Sequence, residues 1–161
     1  MKKIRQYGDK VLEDKSELVK NINGSTLKII KELKNVLINS GGLGLAAPQI
    51  GILKRIFIAK DLDANKLITI INPKIKEMSK KDIDMEGCLS VPEIFLSIER
   101  AKKVILTGLD ENAKTVYIEA TNLFARCFQH ETDHLNGILI IDYATEEEKE
   151  FWQDKLDKIK K

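Results

Sequence analysis

The sequence predicts an α+β fold, with mixed or antiparallel β-sheet packed around a central helix and a further helix closing the chain. Three observations carry this. Apolar residues recur at helical spacing over 25–40, over 121–137 and from Thr145 to the end. β-branched runs cluster between about Ile52 and Val116. No repeat, low-complexity tract or long linker divides these blocks, so residues 1–161 read as one domain.

In the first helix, Leu27, Ile30, Leu33 or Lys34, and Leu37 fall on one face. Asn23 to Ser25 supplies the cap region and Gly41-Gly42 the stop. Strands are expected at Arg55–Ala59, Leu67–Ile71, Val104–Thr107 and Thr115–Ile118, with breaks at Asn72-Pro73 and Asp110-Glu111-Asn112. The second helix should run from Thr121 as N-cap to Gly137, with Leu123, Cys127, His130 and His134 on one stripe. Thr145 and Glu148 have capping-box spacing for the third.

A hydrophobic fraction of 43% and a charged fraction of 32% describe an ordinary globular chain. The net charge of +2 gives no electrostatic case for direct nucleic-acid readout or for a membrane surface. No signal-peptide or membrane-length apolar run is present, so a cytoplasmic location is expected. Two cysteines do not make a disulfide scaffold, and metal binding or burial in a reducing compartment is the better reading.

His130-Glu131-Thr132-Asp133-His134 contains both histidines of the chain. On a helix, residues four apart share a face about 6 Å apart along the axis, so two imidazoles can converge on one ion. Glu131 lies beside them as a general base for a metal-activated water. The bland reading is a helix with two surface histidines. A catalytic site of this kind wants a third protein ligand and one position left for water. Cys127 shares the stripe, but it stands about 10 Å of helix rise from His134 and reads as a small buried thiol. Cys88, in Glu86-Gly87-Cys88-Leu89-Ser90, is the better candidate, because a loop or strand end can bring a thiolate to the helix from outside. That segment alone is equally compatible with a buried cysteine. Asp154 and Glu146-Glu147-Glu148 offer carboxylates, but they suit the acidic start and solvated face of the last helix.

Gly42-Leu43-Gly44-Leu45-Ala46-Ala47 has the spacing of a dinucleotide-binding turn, with Asp61 or Asp63 at the distance of the ribose acid. It follows a helix rather than a strand, however, and Pro48 interrupts the turn that should open the next helix. Small residues that let the main chain pass close to a ligand fit better, with the Gln49 amide as a neutral donor to developing oxyanion charge. A tight turn with a solvent-facing Gln49 is the plain alternative.

Taken together, Gly42-Leu43-Gly44-Leu45-Ala46-Ala47-Pro48-Gln49, Glu86-Gly87-Cys88-Leu89-Ser90 and Gln129-His130-Glu131-Thr132-Asp133-His134 resemble the three signature motifs of the peptide deformylases, in order and at the family's spacing. The likeness covers nearly the whole chain, including Asn72-Pro73, Arg100-Ala101 and Asp142-Tyr143, and the helical C-terminus is similar to that of the first bacterial type. The resemblance implies that Cys88, His130 and His134 hold one divalent ion. It implies ferrous iron in the cell, with zinc, nickel or cobalt able to replace it in preparations. It further implies Glu131 as the acid–base residue, with Gln49 and the Leu89 N–H stabilising the oxyanion. Leu43, Gly44, Glu86, Gly87, Leu123, Arg126 and Cys127 would line the groove and methionine pocket. The implied substrates are N-formylmethionyl nascent peptides and the implied product is formate. The same likeness allows a ribosome contact through Lys155, Lys158, Lys160 and Lys161, against the simpler reading of a solvated helix. Two departures leave the peptide preference open: Gly8–Glu13 lacks the usual proline and arginine, and Phe95 stands where a polar or basic residue is frequent.

Asp133 and Arg100 are expected to support the ligating histidines. The rivals are a zincin-like peptidase, for which no ligand histidine follows His134, and a non-catalytic metal-binding module, which would need a fourth protein ligand.

Overall fold

The computed structural model describes residues 1–161. Helix α1 (Gly24–Ser40) is followed by strands β1 (Gly44–Ala46), β2 (Ile56–Asp61), β3 (Lys66–Cys88), β4 (Val91–Leu109) and β5 (Thr115–Thr121), then by helices α2 (Asn122–Leu135) and α3 (Glu146–Lys160). The strands form one sheet in the order β1-β2-β3-β4-β5, with every neighbouring pair antiparallel. The expected α+β architecture with a C-terminal helix is therefore what the chain adopts. No helix is long and apolar enough to cross a membrane.

Alternation along β2 shows how the layers assemble. Ile56 and Ile58 pack with Ile30, Leu33, Val36 and Leu37 of α1, while Phe57 and Ala59 pack with Ala125, Phe128 and Leu135 of α2. The sheet thus lies between α1 and α2. A third cluster joins Ile94, Leu96 and Ile98 of β4 to Leu139, Ile140, Ile141 and Leu156, which docks α3.

The helix caps follow the sequence closely. The Asn23 side chain accepts from the Ser25 and Thr26 N–H groups at 3.1 Å. Thr145 and Glu148 bond reciprocally at the start of α3. Other expectations need correcting. Leu27 is exposed, and Val36 takes its place in the core. Thr121 stands at the N-cap of α2 but makes no side-chain capping bond there. Asn72-Pro73 does not end a strand: β3 runs through it as a bulge between Ile71 and Lys74. Asn72 takes a positive φ of 51° there, and its side chain bonds the N–H and C=O of Val19, both at 2.9 Å. β3 and β4 are far longer than the runs at Leu67–Ile71 and Val104–Thr107 suggest. The extra length is a hairpin that turns at Leu89-Ser90 and delivers Cys88 at its end.

Candidate active site

Helix α2 projects His130 and His134 into the same space as Cys88 from the end of β3. The donor atoms of these three residues all lie within 4.8 Å of one another. His134 Nε2 is 3.2 Å from His130 Nε2 and 3.4 Å from Cys88 Sγ. A tetrahedral ion with Zn-type bond lengths separates its nitrogen ligands by about 3.3 Å and nitrogen from sulfur by about 3.6 Å. The residues therefore fit a divalent cation of that size. Burial opposes protonation of His130, yet its bonds to Cys88 and Glu86 raise its pKa well above the usual value. Burial lowers the His134 pKa well below it, and the neighbouring His130 charge adds to this. The two facing Nε2 atoms cannot both carry a proton; one shared cation satisfies both.

Glu131 is 3% exposed, and its Oε2 has no hydrogen-bond partner. Burial lifts its pKa to about 7; the His130 charge opposes the rise, and Glu86 and Asp133 add to it. Such a carboxylate is poised to take up and release protons near neutrality. Gly44 makes room for it. A Cβ there would lie 2.7 Å from Glu131 Oε1 and 2.9 Å from Cys127 Sγ, so only glycine lets β1 approach α2 this closely.

Behind His130 the polar groups are fully engaged. His130 Nδ1 pairs with Glu86 Oε1 at 2.9 Å, which leaves Nε2 for the shared space. Glu86 receives Arg100 through two bonds of 2.8 and 3.0 Å, and Arg126 at 2.8 Å. Burial works against the Glu86 carboxylate, but the bonds from His130 and Arg100 outweigh it and hold its pKa down at about 2. Arg100 also donates to Asp133 at 2.6 Å and to the Tyr143 hydroxyl at 3.2 Å. Tyr143 in turn donates to Asp133 at 2.6 Å; burial and that carboxylate push its pKa up to about 12.

Gln49 is 1% exposed, so it is not the solvent-facing residue of the plain reading. Its Oε1 accepts from the Ala46 N–H at 2.9 Å. That bond fixes the amide so that Nε2 faces Ser90 Oγ at 3.1 Å and Cys88 Sγ at 3.9 Å. Cys127 donates to the Leu43 carbonyl at 3.7 Å, and burial, reinforced by the Glu131 and Glu86 charges, raises its pKa well above the usual thiol value. A neutral thiol of this kind is not a metal ligand. Asp154 and the Glu146–Glu148 run lie on α3, outside the cluster.

A groove of about 470 Å³ opens over the cluster. Leu43, Gly44, Gln49, Glu86, Gly87, Cys88, Leu89, Leu123, Arg126, Cys127, His130 and Glu131 all line it, while His134 lies beneath at 1% exposure.

A sequence model of the polypeptide deformylase family matches residues 1–150. The chain belongs to the peptide deformylase family. It is 41% identical over 155 residues to the peptide deformylase of Thermodesulfovibrio yellowstonii, covering 94% of each chain. It is 47% identical over 139 residues to that of Halothermothrix orenii, covering 86% of this chain and 90% of the relative. The crystal structure of a peptide deformylase from Legionella pneumophila superposes with a TM-score of 0.93 at 34% identity, covering 99% of this chain and 95% of that one. The Ehrlichia chaffeensis peptide deformylase in complex with actinonin gives a TM-score of 0.93 at 35% identity, covering 98% and 96%.

Peptide deformylases are metalloenzymes, and the Cys88, His130 and His134 cluster is the place in this deformylase where a metal can sit. The sequence reading did not assign Met85, Pro92, Glu93 or Ile94 to the groove, although they line it. For those on β4 a signal was present, since buried and exposed residues alternate from Glu93 to Arg100, but the run was not recognised as strand. Met85 lies on the exposed part of β3, where no such alternation exists. The Tyr143 contact was missed as well. It joins residues 43 and 10 positions away, and no local pattern announces it.

Proposed function

We propose that this deformylase works in the cytoplasm on newly made proteins, removing the formyl group from the N-terminal formylmethionine and releasing formate. Cys88, His130 and His134 hold one divalent ion, ferrous iron in the cell, with zinc, nickel or cobalt able to stand in for it. Bound there, the ion supplies Lewis acidity and lowers the pKa of a water, and a thiolate ligand moderates its charge. Glu131, through its unpartnered oxygen, would accept the proton of the attacking water and later return it to the departing amine. Gln49 Nε2 and the Leu89 N–H donate to the oxygen that gains negative charge as the formyl carbon becomes tetrahedral. Leu123 and Cys127 of α2, with Gly44 of β1 and Leu43 just before it, border the methionine side chain. Glu86 fixes the ring of His130, and Gly87 and Arg126 border the same groove.

One observation carries the reading: an unpartnered, buried Glu131 oxygen stands in the groove wall beside three converging metal donors. The test is formate release from a formyl-Met peptide under anaerobic conditions, with metal analysis of the same sample. Cleavage of free-amine peptides without formate release would point instead to the zincin-like rival, which the comparisons do not favour. Docking of α3 on the ribosome is a separate proposal. Lys155 is held by Glu93 at 3.3 Å, so Lys158, Lys160 and Lys161 would carry it. Co-sedimentation with ribosomes should be lost when the chain is truncated before Lys155.

A further inference from the structure

On the basis of the deformylase reading, we infer that Phe95, together with Met85, selects substrates carrying an apolar side chain shortly after the formylmethionine. The register of the hairpin places both residues. Ile94, Leu96 and Ile98 are buried in the core beneath β4, so Phe95 and Ser97 between them face the other way. Met85 pairs with Ser97 across the hairpin, which puts it on the Phe95 face. Phe95 and Met85 line the groove that contains Cys88 and Glu131, and each is 55% exposed. Ile83, 69% exposed, extends the same face away from the groove. Large apolar side chains held in water beside a groove mark a surface that something covers.

The Phe95 ring is fixed in this position. A Cβ on Gly87 would lie 2.8 Å from Phe95 Cε1 and 3.0 Å from Cδ1, so the ring rests directly on the main chain one residue before Cys88. Selection by charge has little to work with here. Glu93 is paired with Lys155 at 3.3 Å, and Arg126 is committed to Glu86 at 2.8 Å. With Leu123 and Cys127 on α2 proposed for the methionine, the hairpin face remains for the residues that follow it. An apolar side chain there is stabilised by covering the ring and the thioether, whereas a polar one loses water without a partner.

The test uses metal-loaded enzyme and formyl-Met peptides whose next two residues are leucine, serine or aspartate. In wild type, kcat/KM should be highest for leucine. Phe95→Ala should lower kcat/KM for the leucine peptide by about three- to tenfold, mostly through KM, and change the serine peptide by less than about twofold. Phe95→Leu should restore most of the loss, and Phe95→Arg should shift preference toward aspartate. Phe95 is exposed, so all three variants should melt with wild type. An equal loss on every peptide, or no loss on leucine, overturns the inference while leaving deformylation intact. A loaded wild-type enzyme that deformylates none of the peptides brings down the underlying reading, and the inference with it.

Discussion

Behind His130, Glu86 binds Arg100 and Arg126 while Arg100 binds Asp133 and Tyr143, so the carboxylates and guanidiniums neutralise one another. In front of it, Glu131 Oε2 has no partner, its pKa is lifted to about 7, and Phe95 and Met85 stand in solvent. The back holds geometry; the front keeps reactive and apolar groups available. Stability and activity should therefore separate between the two regions, because an active site retains unsatisfied groups that a structural network cannot afford.

The largest effect should come from the front. Glu131→Ala should lower kcat by roughly 10²–10⁴-fold while metal content stays at wild-type level. Because it removes an unsatisfied buried carboxylate, it should hold or raise Tm. A variant that loses both metal and Tm would make Glu131 part of the back. Next in size, Glu86→Gln removes the negative charge that Arg100 and Arg126 share and sets an NH2 donor against a guanidinium, and it should cost about 3–5 kcal/mol by chemical denaturation. Gln49→Leu should lower kcat by on the order of 10²-fold, and a change confined to KM would remove it from the oxyanion site.

The pH dependence divides the regions in the same way. The folded-state pKa of Glu86, about 2, lies below its ordinary 4.5. The stability it contributes is fully present above about pH 4.5 and is lost as pH falls toward 2. Acid melts of Glu86→Gln should show a flatter dependence over that window than wild type. The smallest effect should be that of Tyr143→Phe, which removes one hydroxyl from Asp133 and should cost about 1 kcal/mol. A Tyr143→Phe variant as damaged as Glu86→Gln would mean that the network is held from its outer end.

These two regions were unequally legible in the sequence. The His130–His134 pair, Glu131 and the caps at Asn23 and Thr145 are local patterns, each contained within one or two helical turns. Cys88 and Gln49 became readable only through the ordered motifs around them. The back could not be read in full, because Glu86, Arg100, Arg126 and Tyr143 come from four separate segments that meet only in the folded chain. Arg100 and Asp133 were expected near the histidines, but Glu86 was not recognised as the residue joining them to His130. In the fold, β1 was hidden by its glycine and its length of three residues. The outer part of β3 was hidden because it is exposed on both faces, so polar residues such as Lys80, Lys81 and Asp84 interrupt the alternation that marks a half-buried strand. By contrast, β4 does carry that alternation at Ile94, Leu96 and Ile98 and was overlooked.

The most direct test is X-ray absorption on the anaerobically purified, metal-loaded protein, read beside the same measurement on Cys88→Ser. Wild type should show one sulfur, two imidazole nitrogens and one solvent oxygen around a single ion, and Cys88→Ser should lose the sulfur signal or the ion itself. An unchanged sulfur signal in Cys88→Ser, or a fourth side chain in place of solvent, would contradict the assignment.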